Sequence, residues 1–262
     1  MAHWRLKAGG RWRCQRRAQA WLLGLGLMLA ACTPQPTPGP LALRVEATDL
    51  AAPLLADLAQ AYAGINPGIS VQVETVSLSM LADDLAAGRA DLGLAATYTA
   101  GQFATPLGYV AFVPVVNPAN PVSRLSAAQA RDLFAGRATD WASAGGPAGA
   151  VQVVCREDRS DAAETFGRLA LEGAPPTLNA LVAPTWAAMR EAVGQTPAAI
   201  GYLPAPEVSP AVKQVAVEAA WRALIVAVAP QAPAGAARDF VAWVQSEAGQ
   251  AAVAERYEPL GR

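Results

Sequence analysis

Between Leu41 and Ala95 the hydrophobic pattern switches back and forth between the two-residue period of a strand and the 3.6-residue period of a helix, and few architectures accept that alternation. Leu41–Ala47 reads as a strand. Thr48 and Asp49 then cap a helix running to about Tyr62, with Leu50, Leu54, Leu55 and Leu58 on one face, and Asn66-Pro67-Gly68 ends it. Ile69–Val76 is the next strand, Ser77 and Ser79 open a helix through Leu81 and Leu85 to Gly88, and Asp91–Ala95 is a third strand. This β-α-β-α-β order predicts a parallel sheet whose ligand groups lie at the C-terminal ends of its strands.

A later stretch repeats the pattern with chemistry attached. In V-Q-V-V-C-R-E-D-R-S-D-A-A-E-T-F, Val151 to Phe166, a β-branched run ends at Arg156, Ser160 follows four residues on, and the next residues take helical spacing. Ser160 is a good N-cap, the free N–H groups of the first helical turn point outward, and the helix dipole adds about half a positive charge. With the planar donor fork of Arg156 beside them, these groups form a seat for an anion. A simple helix cap next to a solvated arginine would have the same local sequence, so the rest of the chain has to separate the two. Three helix starts now carry hydroxyls or acids, at Thr48/Asp49, Ser77/Ser79 and Ser160.

Charge and rare residues narrow the function. Six of the 20 basic residues, Arg5, Lys7, Arg11, Arg13, Arg16 and Arg17, lie in residues 1–31, which hold no acid; the remainder has 14 basic against 21 acidic side chains, net −7. So acidic a body is a poor partner for nucleic acid. Lys213 is the single lysine after residue 31, which removes a phosphate-loop lysine and a lysine Schiff base at the usual motifs. The one histidine is His3, so the body lacks the imidazole that Ser-His-Asp and Cys-His nucleophile systems and His-ligated zinc require. No Asp/Glu pair stands out by spacing for acid–base work. The expectation is a binding protein and not an enzyme, with no cofactor and no metal.

Residues 1–31 combine a basic start with the apolar run Trp21–Ala30, about ten residues and too short for the ~20-residue helix that spans a bilayer. They read as an export signal. Its end, Leu29-Ala30-Ala31-Cys32, looks like the lipobox of bacterial lipoproteins, in which cleavage leaves the cysteine as a lipid-bearing N-terminus. Thr33–Pro40 follows as a proline-rich spacer, so that residues 32–40 form a tether to the membrane surface. Cys14 leaves with the leader and Cys32 is acylated, which leaves Cys155 alone in the body, without a disulfide partner and read as a small apolar residue at a strand end.

Tyr109–Val116, an apolar run broken by Pro114, reads as a crossing into a second domain. That domain holds a Ser126–Ala135 helix, Trp141, the Arg156–Ser160 loop with its helix to about Gly173, a helix around Trp186–Val193 and a strand at Ala198–Tyr202; Trp221–Ala229 is the return crossing. The terminal helices carry Phe240, Val241, Val244 and Val253 at core-facing spacing.

Taken in order, Thr48–Leu55, I-N-P-G (Ile65–Gly68), G-R-A-D-L-G (Gly88–Gly93), N-P-A-N-P-V (Asn117–Val122), L-S-A-A-Q-A-R-D-L-F-A-G (Leu125–Gly136) with Asp140-Trp141, R-E-D-R-S (Arg156–Ser160), A-I-G-Y (Ala199–Tyr202) and F-V-A-W-V-Q-S-E-A-G-Q (Phe240–Gln250) resemble the phosphate-binding-protein family of bacterial ABC importers, in its lipoprotein form. The resemblance covers nearly all of residues 41–262. It implies an α/β, two-lobe type II periplasmic-binding-protein fold, each lobe a mainly parallel sheet flanked by helices, joined by two crossover strands. Lobe 1 would be residues 41–112 plus 222–262, and lobe 2 residues 113–221. It further implies a monomer, lipid-anchored at Cys32 on the outer side of the cell membrane, that captures phosphate or a similar oxyanion for an ABC permease.

Carried over by position, the ligand contacts are Thr48 or Asp49, Ser77 and Ser79, and the Ala95-Ala96-Thr97 turn from the first lobe, with Arg156, Ser160 and Asp161 from the second; Asp91 matches a family position that looks structural. Three departures bear on this. The family continues from the serine with Gly-Thr where this chain has Asp161-Ala162, it has Ser-Asp or Ser-Arg where this chain has Ala95-Ala96, and its hydroxyl-rich first loop carries Asp49 here. Carboxylates near the seat oppose a dianion. Either Asp49 or Asp161 could instead accept the hydroxyl of a monoprotonated phosphate, which sulfate lacks, with the other acid paired to Arg159. Tungstate and molybdate, and an interaction or sensory lipoprotein with a degenerate ligand site, are the alternatives.

Overall fold

The computed structural model describes residues 40–261. The export signal, Cys32 and the tether up to Gly39 lie outside the described residues. Strands β1 (Leu41–Ala47), β2 (Ile69–Thr75) and β3 (Leu92–Ala95) alternate with helices α1 (Ala52–Ile65) and α2 (Leu78–Ala86), as the periodicity predicts. β1 pairs in parallel with β2 (Leu41↔Ile69) and with β3 (Val45↔Leu92), which places β1 between them and β2 at the edge. The close packing of α2 on β3 depends on Gly93, where a Cβ would lie 2.7 Å from a methyl of Leu81.

α1 corrects the expectation at Thr48-Asp49. Its cap position is Ala51, without a side-chain bond, and Pro53 occupies its first turn. The Thr48 carbonyl accepts from the N–H groups of Ala51 (3.0 Å) and Ala52 (2.8 Å), so a backbone turn does the work assigned to a cap and the Thr48 hydroxyl is free for another partner. Leu54, Leu55, Leu58, Ala59 and Tyr62 supply the buried face.

β4 (Phe103–Val116) is longer than the run read from Tyr109, and it continues through Pro114, whose carbonyl accepts from the Val215 N–H at 2.9 Å. The proline does not break it because extended backbone suits the fixed φ of its ring. After β5 (Arg124–Leu125) come α3 (Ala127–Phe134), β6 (Gln152–Arg156), α4 (Asp161–Ala170), β7 (Leu181–Ala183), α5 (Trp186–Gln195), β8 (Ala199–Pro204), β9 (Lys213–Gln214), β10 (Ala216–Val217) and β11 (Arg222–Ala229). Helices α6 (Gly235–Gln245) and α7 (Glu247–Ala254) close the chain, burying Phe240, Val241, Val244 and Val253.

Two groups of strands meet at β4. Its first part pairs antiparallel with β11, from Ala229↔Phe103 to Arg222↔Ala111, while Phe112–Val116 pair antiparallel with β8. The hydrogen-bonded order β2-β1-β3-β11-β4-β8-β6-β7 is therefore one curled sheet, parallel within β2-β1-β3 and within β8-β6-β7. The expected pair of sheets is hydrogen-bonded into one because β4 is long enough to serve both. Behind the second group, Phe166 stacks on Tyr202 with ring centroids 3.6 Å apart, and Phe112, Phe134 and Trp221 meet this pair edge-on.

Candidate functional site

β1 and β3 end side by side in the first group of strands, and β6 ends in the second. The residues just past these ends face one another. Asp161, the first residue of α4, has a buried carboxylate whose Oδ2 accepts from the Thr48 hydroxyl at 2.6 Å and from the Ala96 N–H at 2.8 Å. The first distance is in the range of an O–H···O⁻ bond to an ionised acid. Thr97 and Thr165 hydroxyls lie 3.4 Å apart beside it. Burial holds the Asp161 carboxyl above the usual carboxylate range, and the neighbouring Asp49 charge adds to this, against the lowering pull of Ala96, Thr48 and Thr97.

The second contact across the same gap has the opposite polarity. The Arg156 guanidinium forms an ion pair with Asp49 and also donates to the Ala183 carbonyl at the end of β7. It lies over the Trp186 ring at 4.7 Å from the centroid, and the Trp186 indole N–H donates to the Asp49 carbonyl at 3.4 Å. The Arg156 backbone N–H donates to the Tyr202 hydroxyl at 3.2 Å, which ties the loop to the aromatic core. Arg156 is 6 % exposed, so its charge is withdrawn from water and committed to the gap. Two buried atoms there lack a protein partner: Arg156 Nε, a donor, and Asp161 Oδ1, an acceptor.

Such an arrangement, with an arginine, hydroxyls, a backbone N–H and a helix start converging past the C-terminal ends of parallel strands, is suited to holding a small anion. The family model of the PBP superfamily domain matches residues 33–248. The chain belongs to the PBP superfamily. The phosphate-binding protein PstS of Bacillus subtilis (strain 168) is 25 % identical to it over 169 residues, 62 % of this chain and 56 % of that protein, so the match spans little more than half of that relative. A Clostridium perfringens structure titled as a phosphate ABC transporter substrate-binding protein with bound phosphate superposes with a TM-score of 0.76 at 20 % identity, covering 84 % of this chain and all of that one. An ABC-type phosphate transport receptor from Vibrio cholerae gives 0.71 at 22 % identity with the same coverage. The α/β architecture of two strand groups is thus the type II periplasmic-binding-protein fold.

Among the residues singled out from sequence, this PBP superfamily chain brings Thr48, Asp49, Thr97, Arg156 and Asp161 to one place. Ser160 caps α4, its hydroxyl accepting from Ala163 N–H at 3.1 Å and donating to the Glu157 carbonyl at 2.7 Å. Ser77 caps α2 through the Met80 N–H at 3.2 Å; its hydroxyl and that of Ser79 lie 3.1 Å apart, both residues are exposed, and they follow the edge strand β2. The expectation that one acid pairs with Arg159 is corrected. Arg159 is exposed with a left-handed φ of 62°, and Asp49 takes Arg156 because that guanidinium points back across the gap from the end of β6. Asp91 binds Arg44 through its backbone N–H at 2.9 Å and its guanidinium, a structural role. Burial pushes the Cys155 thiol up to about 12, which suits an inert strand residue.

Sequence reading missed Trp186, Ala183 and Thr165. Trp186 opens α5 behind its cap Thr185, a local arrangement with no sign that its ring would meet an arginine 30 residues earlier.

Proposed function

We propose that this protein is an extracytoplasmic solute-binding protein that closes two lobes, residues 41–112 with 222–262 and residues 113–221, over an inorganic oxyanion and presents it to the permease of an ABC importer. Phosphate is the first candidate solute, with tungstate and molybdate behind it. The observation that carries the reading is the convergence of the Thr48 hydroxyl, the Ala96 N–H and the buried Arg156 guanidinium at one gap between strand ends. The bound phosphate in the Clostridium perfringens relative and the name of the Bacillus subtilis relative support phosphate as the solute. Ser77, Ser79 and Ser160 stay candidate solute contacts, although Ser77 and Ser79 are exposed and the Ser160 hydroxyl is engaged at its own helix start. Export by residues 1–31, lipid attachment at Cys32 and a tether to Pro40 would hold a monomeric body at the outer membrane surface, within reach of a permease. No covalent step is involved.

Calorimetric titration of the full chain with phosphate, sulfate, molybdate and tungstate tests this. Saturable binding of phosphate, lost in Arg156→Gln, is the expected result. A second reading, an interaction or sensory module with a degenerate ligand site, draws on the way Asp49 already pairs with the arginine and Asp161 already takes the Thr48 and Ala96 donors. Silence with all four oxyanions would favour it.

A further inference from the structure

Asp161 stands among the donors that the solute-binding reading assigns to an oxyanion. Its carboxylate takes up two donors that hang from the ends of adjacent strands, the Thr48 hydroxyl and the Ala96 N–H, and both belong to the first strand group while Asp161 belongs to the second. It sits on the first residue of α4, beside N–H groups whose dipole favours negative charge. The protein has placed one of its own oxyanions at the anion seat. We propose, building on the solute-binding reading, that Asp161 is a resident ligand of the cleft: its carboxylate holds the lobes closed in the absence of solute, and an external oxyanion binds only by displacing it.

Three features argue for displacement over co-occupancy. The first is charge: Asp49 and Asp161 already give the gap two acids against the single positive charge of Arg156, which is paired with Asp49, so a phosphate dianion added beside them would meet the Asp161 carboxylate with no counter-charge left to balance it. The second is donor supply, since Thr48 and Ala96 each have one N–H or O–H to give and both are spent on Asp161 Oδ2. The third is the reward for exchange. Arg156 Nε–H is buried without an acceptor, and a tetrahedral oxyanion has an oxygen for it that the planar Asp161 carboxylate does not supply. A tethered carboxylate competes at a fixed effective concentration of order millimolar, so it weakens solute binding without abolishing it.

The test compares the full chain with Asp161→Ala and with Asp161→Asn, the second keeping the side-chain shape should the first fold poorly. Phosphate titration gives affinities, and small-angle scattering without and with phosphate reports whether the lobes are open. The proposal expects the unmodified chain to be compact without phosphate and both variants to bind phosphate at least tenfold more tightly. It also expects Asp161→Ala to be expanded without phosphate and to contract when phosphate is added. Equal or weaker phosphate binding in both variants would overturn the resident-ligand proposal while leaving the solute-binding reading in place, and weaker binding would make Asp161 a direct ligand. A solute-free Asp161→Ala chain as compact as the unmodified one would overturn it too. No binding of any oxyanion by all three proteins would overturn both.

Discussion

Asp161 and Glu46 are both buried acids near the C-terminal end of a strand, 1 % and 6 % exposed, and their surroundings are opposite in sign. Donors surround Asp161. Around Glu46 stand several acids: Glu74 lies directly across the β1–β2 pair and Asp84 approaches from α2, while Arg89, which is held by Asp84, and the Arg44 charge oppose them. Burial, the Asp84 carboxylate with its charge and hydrogen bonding, and the Glu74 charge push Glu46 up to about 7 from 4.5. The same side-chain chemistry thus bridges the strand groups in one place and is held toward its protonated form by burial and neighbouring acids in the other. The difference lies in what the neighbours donate, since burial raises both acids.

Removing the one cation of the cleft would make the Asp161 site resemble the Glu46 site, and it is the largest effect expected. Arg156→Ala leaves Asp49 and Asp161 facing each other with no base, and loss of one member of a buried pair costs about 3 kcal/mol or more, moderated here by the partial exposure of Asp49. Denaturant unfolding at pH 8 should show that loss, together with loss of phosphate binding. A change below about 1 kcal/mol would mean that the guanidinium is not what balances the two acids.

Glu46→Gln runs the comparison from the other side. Because the folded-state value of Glu46 lies above its ordinary one, its stabilising contribution is complete below about 4.5 and is lost as pH rises through about 7. One pKa unit is worth about 1.4 kcal/mol, so the rise from 4.5 to about 7 corresponds to a loss of roughly 3 kcal/mol across that window, and the glutamine variant should lack that slope and be the more stable of the two at pH 8. Unfolding measured at pH 5, 6, 7 and 8 decides it; an unchanged slope in the variant would place the proton elsewhere. The smallest effect belongs to Asp91→Asn. Arg44 and Asp91 match the cleft pair in residue types, but their side chains are 45 % and 33 % exposed, and water screens them. The expected cost in a melt is below about 1 kcal/mol with phosphate titration unchanged, and a change in affinity would show that Asp91 acts on the cleft.

Much of the fold is legible in the order of residues. Leu54, Leu55 and Leu58 recur at helical spacing, the β-branched runs from Leu41 and Ile69 alternate, and Ser77, Ser126 and Ser160 each cap the helix that follows, because a cap depends only on the next three residues. Where reading failed, a competing backbone contact had won. Thr48 looks like a cap, but its carbonyl closes the turn into α1 and its hydroxyl turns away to the cleft. Pro114 looks like a break within the run from Tyr109 to Val116, but the antiparallel partners on either side carry β4 through it.

The sequence by itself determined the alternating elements, the serine caps at Ser77, Ser126 and Ser160 and the acidic, histidine-poor chemistry of the body, since each follows from composition or from neighbours within a few residues. It also placed Arg156 and Asp161 on one strand–loop–helix unit. Only the tertiary structure decided which acid meets which donor: Asp161 reaches Thr48 across 113 residues of chain and Arg156 reaches Asp49 across 107. No local period encodes those partners, because they are set by the side-by-side ends of β1 and β3 and by the long β4 that brings the end of β6 to face them.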